Sequence, residues 1–312
     1  PGLTVAYPPL HGVGAELVEA AFARAGLPAP VCVASQRAPD PDFPTAPFPN
    51  PEEPGALDAV LDLGERIGAD LVLANDPDAD RCAAAVGRRV LTGDEVGLLL
   101  ADRLLRTRPG PVATTVVSSD ALRALAAEAG VDCIQTLTGF KWIMRAHPDL
   151  VFGYEEALGY AVAPEVVRDK DGVTAALALA LLARAEKRRG RTLLDALDDL
   201  QRRHGVYATG QVSIRVDDLA VITATMNRLR AAGPAAVGSR PVTAVRDLAA
   251  GGDGLPPADV LVLSLAGGAR VVVRPSGTEP KLKIYLQVVT SAGDDLAAAR
   301  ALAQADLGRL RA

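Results

Sequence analysis

Lysine, histidine and cysteine are scarce in this sequence of 312 residues. Five of the 33 basic residues are lysines and the rest are arginines, and the chain has three histidines and three cysteines. Cysteines that are odd in number and widely spaced favour neither a disulfide framework nor a zinc site. Cys32, Cys82 and Cys133 are therefore predicted to fill small apolar spaces in or beside strands. Where arginine is the default cation, a retained lysine is a candidate for chemistry that needs a compact ammonium group.

The sequence also lacks a basic cluster and a long apolar run. Its net charge is -5, which argues against a protein that binds nucleic acid. No apolar stretch has membrane-spanning length, and the first residues do not form a charged segment followed by an apolar one. Hydrophobic residues make up 49% and charged residues 23%, as in a globular protein. We expect a cytoplasmic protein, monomeric or weakly dimeric, that binds neither nucleic acid nor membranes.

Strand and helix patterns alternate through the first two thirds of the chain and change character in the last third. The alternation predicts two consecutive three-layer α/β domains with mixed sheets. In the last third, strands are grouped between two helix patterns, which predicts a smaller α+β domain. The pattern breaks near Arg106–Gly110, and a linker is predicted at Arg202–Gly205. The predicted domains are residues 1–106, 107–204 and 205–312.

An acidic run, DPDADR, follows a short apolar strand predicted over Leu71–Ala74. In an extended chain Asp76, Asp78 and Asp80 would share one face, where their repulsion is costly without a cation. Hard oxygen ligands without nitrogen or sulfur favour Mg²⁺ over zinc. The carboxyl ends of strands are also where α/β sheets bind ligands. A solvated acidic turn without a metal is the alternative.

Two other acidic motifs can be compared with the same residues. An EF-hand loop that starts at Asp76 needs glycine at its sixth position and glutamate at its twelfth. The chain has Arg81 and Gly87 there, so an EF-hand is excluded. A phosphatase of the haloacid dehalogenase type also has an aspartate pair after a strand, but Asp80 stands where threonine or valine is expected. That second alternative stays open.

A second motif, RPSGTEPKLK, is rich in groups that bind phosphate. It offers an arginine fork, two hydroxyls, backbone N–H groups around a glycine and two lysines, all of which suit a phosphate dianion. A tight turn between strands would explain the proline and the glycine alone. The candidate phosphate ligands are Arg274, Ser276, Gly277, Thr278, Lys281 and Lys283.

A third motif, GYEEALGY, places two adjacent glutamates at the predicted end of a strand. Glu155 and Glu156 could accept hydrogen bonds from sugar hydroxyls, although a solvated loop is the default for such a sequence. Downstream, RDKDG opens a long predicted helix. Lys170 and the N-terminal amides of that helix again suit an anion.

These motifs occur in the same order as in a known enzyme family. DPDADR, GYEEALGY, RDKDG and RPSGTEPKLKIY resemble the phosphoglucomutase/phosphomannomutase superfamily. YPPLHGVG, DFPTAPFPNPEEPGAL and TLTGFKW are similar to bacterial phosphoglucomutases within it. The resemblance covers essentially the whole chain and its motifs are jointly specific. It implies a four-domain enzyme of which domains two, three and four are present.

The resemblance implies a role for each motif residue. The three aspartates would hold Mg²⁺, and Arg81 would lie beside the transferring phosphoryl group. Glu155 and Glu156 would bind sugar hydroxyls. Lys170 would transfer a proton or contact phosphate, and Lys141 would lie near the transferred group. The other phosphate of the substrate would be held by Arg274, Ser276, Gly277, Thr278 and Lys281.

The implied reaction moves a phosphoryl group between C1 and C6 of a hexose through an enzyme phosphoserine and a bisphosphorylated sugar. Its ligands would be glucose 1-phosphate, glucose 6-phosphate and glucose 1,6-bisphosphate. Ala157 stands where many relatives have serine, and Tyr160 where phosphomannomutase-like members often have histidine. Phosphoglucomutase is therefore favoured, with phosphomannomutase or phosphopentomutase as alternatives.

The phosphoserine of the family lies on a loop resembling Thr-Ala-Ser-His-Asn-Pro in the first domain. None of the eight serines of this chain stands in that context. We therefore expect the chain to be a truncated enzyme that binds Mg²⁺ and sugar phosphate weakly and is inactive by itself. A non-catalytic sugar-phosphate-binding protein is the alternative of another class.

Overall fold

The chain forms two compact units, residues 1–199 and 200–312. A computed structural model describes residues 2–252, 254–277 and 279–311. Among these, no helix is both long and apolar enough to cross a membrane.

The first unit begins with a mixed sheet of five strands, β1 (Val5–Tyr7), β2 (Val31–Cys32), β3 (Leu71–Ala74), β4 (Ala83–Val86) and β5 (Arg89–Val90). Helices α1 (Gly14–Arg24) and α2 (Asp58–Ile67) connect the first three strands. The strand order is β2-β1-β3-β4-β5, parallel over the first three strands and antiparallel after them. Strand β3 is buried along its whole length, as a central apolar strand should be. The acidic run therefore starts at the carboxyl end of a central strand.

Helix α3 (Gly93–Leu105) separates the first sheet from the second. It starts with a capping box, in which the Thr92 hydroxyl and the Glu95 carboxylate each accept the backbone N–H of the other residue. The second sheet is formed by β6 (Val112–Thr115), β7 (Cys133–Thr136), β8 (Phe152–Glu155) and β9 (Gly159–Ala161). Its order is β7-β6-β8-β9, with only β9 antiparallel to its neighbour. The accompanying helices are α4 (Ala121–Ala129), α5 (Phe140–Ile143), α6 (Gly172–Lys187) and α7 (Leu193–His204).

A polar contact ties the last residue of α6 to the start of the first sheet. The Lys187 ammonium donates to the Asp70 carboxylate at 2.6 Å and to the Gly2 carbonyl oxygen at 2.9 Å. Asp70 stands one residue before β3, so this contact lies at the opposite end of that strand from the acidic run.

The second unit is an antiparallel sheet covered by two helices. Its strands are β10 (Val206–Arg215), β11 (Ala236–Val237), β12 (Arg240–Asp247), β13 (Leu261–Leu265), β14 (Arg270–Pro275) and β15 (Lys281–Thr290), in the order β10-β15-β14-β13-β12-β11. Helices α8 (Leu219–Ala231) and α9 (Leu296–Arg311) bury Met226 and Ala303 against alternate residues of these strands. One sheet face therefore carries the core of this unit.

The predicted fold class is confirmed: two successive mixed α/β sheets are followed by a smaller α+β part. The predicted domain limits stay predictions, and Arg202–His204 of the predicted linker form the last turn of α7. The hairpin of β4 and β5 and helix α3 were not predicted.

Candidate functional site

The acidic loop, residues 76–81 between β3 and β4, brings three carboxylates together. Ligand oxygens of Asp76, Asp78 and Asp80 lie within 4.8 Å of one another. The loop is a turn rather than the extended segment predicted, because Ala79 has a φ of 58° and donates its N–H to the Asp76 carbonyl oxygen at 2.9 Å. The carboxylates therefore surround a common point instead of lining one side of a strand.

Burial and repulsion make the charge of this loop costly. Burial, together with the charges of Asp80 and Asp78, raises the pKa of Asp76 to about 6, although the Arg81 N–H donates to its carboxylate at 3.0 Å. A cation among the carboxylates would remove this penalty.

Two buried atoms in and beside the carboxylate cluster have no hydrogen-bond partner within the described residues. They are Asp80 Oδ1 and Arg81 Nε, which lie 3.8 Å apart. Unpaired buried polar atoms are rare in folded proteins and point to an ion, a water or a ligand. Because the cluster offers only hard carboxylate oxygens, its residues fit Mg²⁺.

The Arg81 side chain lies among acidic groups from two parts of the chain. Its Nε is 3.5 Å from Asp76 Oδ2, and its Nη1 is 4.0 Å from Glu52 Oε2. Glu52 belongs to the proline-rich loop before α2 and was not predicted as a site residue. The only signal for it in the sequence is the family-like segment in which it stands.

The sugar hairpin, residues 155–159, joins β8 to β9. Leu158 closes its turn with a φ of 64°. Burial raises the pKa of Glu155, against the opposing positive charges of Lys170 and Arg81. The hairpin therefore presents a half-buried carboxylate beside two cations.

Lys170 connects the acidic loop to the sugar hairpin. Its ammonium lies 2.8 Å from Asp80 Oδ2 and 3.9 Å from Glu155 Oε1. The next residue, Asp171, caps α6 by accepting the N–H groups of Val173 and Thr174. The start of α6 thus fixes the position from which Lys170 reaches both carboxylates.

Backbone contacts join the same three segments. The Cys82 N–H donates to the Leu158 carbonyl oxygen at 3.0 Å, and the Gly172 N–H donates to the Ala79 carbonyl oxygen at 3.0 Å. Arg81 also pairs with Gly159 in an isolated antiparallel bridge. The acidic loop, the sugar hairpin and the start of α6 therefore form one hydrogen-bonded cluster.

Glu156 points away from this cluster, although it is adjacent to Glu155. Its carboxylate accepts hydrogen bonds from the Ser118 hydroxyl at 2.8 Å and the Thr115 hydroxyl at 3.3 Å. The residue keeps some exposure, but the carboxylate itself is enclosed, and burial with the charge of Asp94 raises its pKa to about 7. The geometry favours Glu155 over Glu156 as a ligand for sugar hydroxyls.

Lys141 is exposed on α5. Its ammonium lies 5.6 Å from the centroid of the Trp142 ring. Among the described residues no hydrogen bond or ion pair joins it to the acidic loop. Its predicted place near the transferred group stays a prediction.

The phosphate loop of the second unit connects β14 to β15. The Ser276 N–H donates to the Lys281 carbonyl oxygen at 2.8 Å, and Arg274 Nη1 lies 3.5 Å from the Tyr285 hydroxyl. The Lys281 ammonium pairs with Glu279 at 2.8 Å. Gly277 is exposed, and Thr278 lies outside the described residues. The loop thus presents an arginine and a lysine at one end of a hairpin.

Models of the phosphoglucomutase/phosphomannomutase family match nearly the whole chain. The α/β/α domain II model matches residues 1–89, the α/β/α domain III model residues 92–203 and the C-terminal domain model residues 212–304. The predicted assignment to domains two, three and four is confirmed.

Curated relatives carry names from the same family, and solved structures share the fold. A probable phosphomannomutase of Haemophilus influenzae is 43% identical over 97% of this chain and 63% of its own length. A probable phosphoribomutase of Schizosaccharomyces pombe is 36% identical over 91% of this chain and 54% of its own length. The open form of Paramecium parafusin, a phosphoglucomutase, matches 99% of this chain and 57% of its own with a TM-score of 0.74 and 20% identity. The chain thus spans less than two thirds of each.

Proposed function

The chain belongs to the phosphoglucomutase/phosphomannomutase superfamily, and we propose that it binds Mg²⁺ and a phosphorylated hexose for phosphoryl transfer between C1 and C6. One observation carries the proposal: three carboxylates converge beside Arg81, and Lys170 joins them to Glu155. Ligands for a hard cation, cations for a phosphoryl group and an acceptor for sugar hydroxyls therefore meet in one cluster.

The residues of the cluster divide the work of phosphoryl transfer. Mg²⁺, held by the three aspartates, would neutralise charge that develops on the phosphoryl group. Arg81 would bind phosphoryl oxygens. Glu155 would accept hydrogen bonds from sugar hydroxyls and orient the ring. Lys170, between two carboxylates, is placed to bind phosphate or to exchange a proton with a hydroxyl. The other phosphate would be held by Arg274, Ser276, Gly277, Thr278 and Lys281.

We also propose that these 312 residues bind substrate without turning it over. Ser118 and Ser119 follow β6, but each is only 1% exposed, and Ser118 is bonded to Glu156. Ser276 lies in the phosphate loop. Neither the Ser118 nor the Ser119 hydroxyl is exposed for use as a phosphoryl acceptor.

Isothermal titration with Mg²⁺ and then glucose 1-phosphate tests the proposal. Asp78→Asn should weaken Mg²⁺ binding by about tenfold or more, because a ligand charge is lost. The matched control is Asp62→Asn, which removes an exposed carboxylate that pairs with Arg88 at 2.9 Å; it should bind like the parent chain. Equal Mg²⁺ affinity in both variants would contradict the metal site, and turnover in a coupled assay would contradict the inactivity.

Mannose and pentose phosphates form the second group of candidate substrates. The two curated relatives carry the names phosphomannomutase and phosphoribomutase. Titrations with glucose, mannose and ribose 1-phosphates should rank the three sugars, and glucose 1-phosphate is expected to bind tightest. Release of free phosphate without isomerisation would contradict the proposed transfer between C1 and C6.

A further inference from the structure

We propose that Asn75 and the Tyr7 hydroxyl form a clamp, a pair of positioning residues that closes the acidic loop and sets where its carboxylates point. The inference rests on the proposed Mg²⁺ site and adds to it residues that do not touch the metal. Asn75 comes directly before the loop, at the end of β3, and Tyr7 ends the neighbouring strand β1. Both are fully buried, with 0% exposure.

The clamp is built from two hydrogen bonds. The Asn75 side-chain amide donates to the Arg81 carbonyl oxygen at 2.5 Å, and its Oδ1 accepts from the Tyr7 hydroxyl at 2.8 Å. A carbonyl oxygen can only accept, so the amide nitrogen must face Arg81 and the amide oxygen must face Tyr7. Burial also raises the pKa of Tyr7, so its hydroxyl stays a donor. Asn75 therefore ties the start of the loop to its end from inside.

Close-packed glycines hold the clamped loop from outside. A Cβ on Gly172, the first residue of α6, would lie 2.2 Å from the Arg81 carbonyl oxygen and 2.5 Å from Asn75 Nδ2. A Cβ on Gly14 would lie 2.8 Å from the Tyr7 hydroxyl, and one on Gly12 would lie 2.2 Å from the Pro77 Cα. The loop and its clamp are therefore packed so closely that not even a Cβ atom would fit at these three glycines.

Such a clamp answers a physical need of the loop. Three carboxylates within 4.8 Å repel one another before a cation arrives. Ala79 also holds a left-handed φ of 58°, which a residue other than glycine keeps only when its surroundings impose it. Without a tie between Asn75 and Arg81, both forces would open the turn. The clamp keeps the carboxylates together in advance of the metal, which reduces the ordering that binding must impose.

Tyr7→Phe and Asn75→Leu test the clamp, with Lys187→Met as the matched control. Lys187→Met removes a partly exposed polar contact at the opposite end of β3, so it should lower stability without touching the loop. We expect Mg²⁺ affinity to fall about fivefold in Tyr7→Phe and about tenfold or more in Asn75→Leu, as for the loss of one and two buried hydrogen bonds. Lys187→Met should bind Mg²⁺ within about twofold of the parent chain.

Amide hydrogen exchange without Mg²⁺ gives a second readout. The N–H groups of Ala79 and Arg81 bond within the loop, so both should exchange about fivefold faster in Tyr7→Phe and not in Lys187→Met. Unchanged exchange and affinity in Tyr7→Phe would overturn the clamp, as would an equal loss of affinity in the control. If the parent chain binds no Mg²⁺, the proposed metal site fails, and the exchange of Ala79 and Arg81 still decides the clamp.

Discussion

The adjacent glutamates of the sugar hairpin differ in their surroundings, and the difference has a measurable consequence. Burial and the nearby Asp94 charge raise the pKa of Glu156 from 4.5 to about 7. Because its pKa is higher in the folded than in the unfolded chain, folding favours the protonated acid. The free energy of unfolding should therefore fall as pH rises from about 4.5 to about 7.

Glu156→Gln keeps the shape of the side chain and cannot ionise. We expect it to match the parent chain near pH 4.5 and to be more stable by up to about 3 kcal/mol at pH 8. Urea unfolding at both pH values measures this. Glu53→Gln, at an exposed glutamate of the proline-rich loop, should leave the pH dependence unchanged. The prediction fails if Glu156→Gln and the parent chain lose stability equally between the two pH values.

Lys170 offers a second prediction for a single residue, one in which two affinities should change in opposite directions. Its ammonium lies 2.8 Å from Asp80 Oδ2, where it competes with a metal cation for the same carboxylate. Lys170→Met should therefore bind Mg²⁺ about threefold to tenfold more tightly and glucose 1-phosphate more weakly. Calorimetric titration separates the two effects.

The control for Lys170→Met is Arg66→Met, which removes an exposed cation of α2. It should change neither affinity beyond the small long-range effect of one surface charge. Weaker Mg²⁺ binding in Lys170→Met would show that the lysine supports the metal site instead of competing with the metal.

The first residues of helix α3 pack against the sugar hairpin, and this contact fixes the position of the helix start. A Cβ on Gly93 would lie 1.9 Å from the Glu156 carbonyl oxygen. The next residue, Asp94, accepts hydrogen bonds from the Tyr154 hydroxyl at 2.9 Å and the Ser119 N–H at 2.7 Å. The start of the helix therefore holds both strand β8 and the turn that follows β6.

Gly93→Ala should force the helix start and the hairpin apart. We expect it to cost about 2–4 kcal/mol of unfolding free energy and to weaken sugar-phosphate binding. Gly308→Ala in α9 is the contrasting change, since nothing lies within 4 Å of a Cβ there. It should stabilise the protein by about 0.5–1 kcal/mol. Urea unfolding measures the change in unfolding free energy for both variants. An unchanged unfolding free energy in Gly93→Ala would contradict the close contact.

The elements also show what a sequence can reveal. Strand β3 has the bounds predicted because four consecutive apolar residues, all buried, leave little choice of structure. Helix α3 was missed because most of its residues are buried, so it lacks the apolar and polar faces that identify a helix. The turn at Ala79 was also missed, since nothing in an Asp-Ala-Asp sequence signals a left-handed residue.

For the candidate site, the sequence indicates which residue types are present better than it indicates which way their side chains point. The three aspartates could be singled out because carboxylates at that spacing repel one another without a cation. Whether Glu155 or Glu156 faces the cluster depends on the strand pairing of β8 and on the hydroxyl groups near it. Glu52 reaches Arg81 from a distant segment, which only tertiary structure can bring together.

On the scale of the whole molecule, the proposed ligands fall into different units. The acidic loop lies within residues 1–199 and the phosphate loop within residues 200–312. A ligand stabilises the structure that binds it, by about 2.7 kcal/mol at a concentration a hundred times its Kd. Mg²⁺ should therefore slow hydrogen exchange mainly in the first range, whereas inorganic phosphate should also slow it in the second.

Residue-resolved exchange with each ligand alone measures this division. Asp78→Asn should reduce the effect of Mg²⁺ and leave the effect of phosphate on residues 200–312 unchanged. Protection by Mg²⁺ confined to residues 200–312 would contradict the assignment of the acidic loop as the metal site.

Cys82 makes the opening of the cluster measurable in time. Its side chain is completely buried immediately after the acidic loop, and its N–H holds the sugar hairpin through Leu158. A thiol reagent can reach it only when the structure around it opens, whereas Cys32 and Cys133 are partly exposed and should react earlier. The rate at which the Cys82 thiol is modified thus reports how often this region opens. A ligand that contacts both the acidic loop and the sugar hairpin should slow that modification.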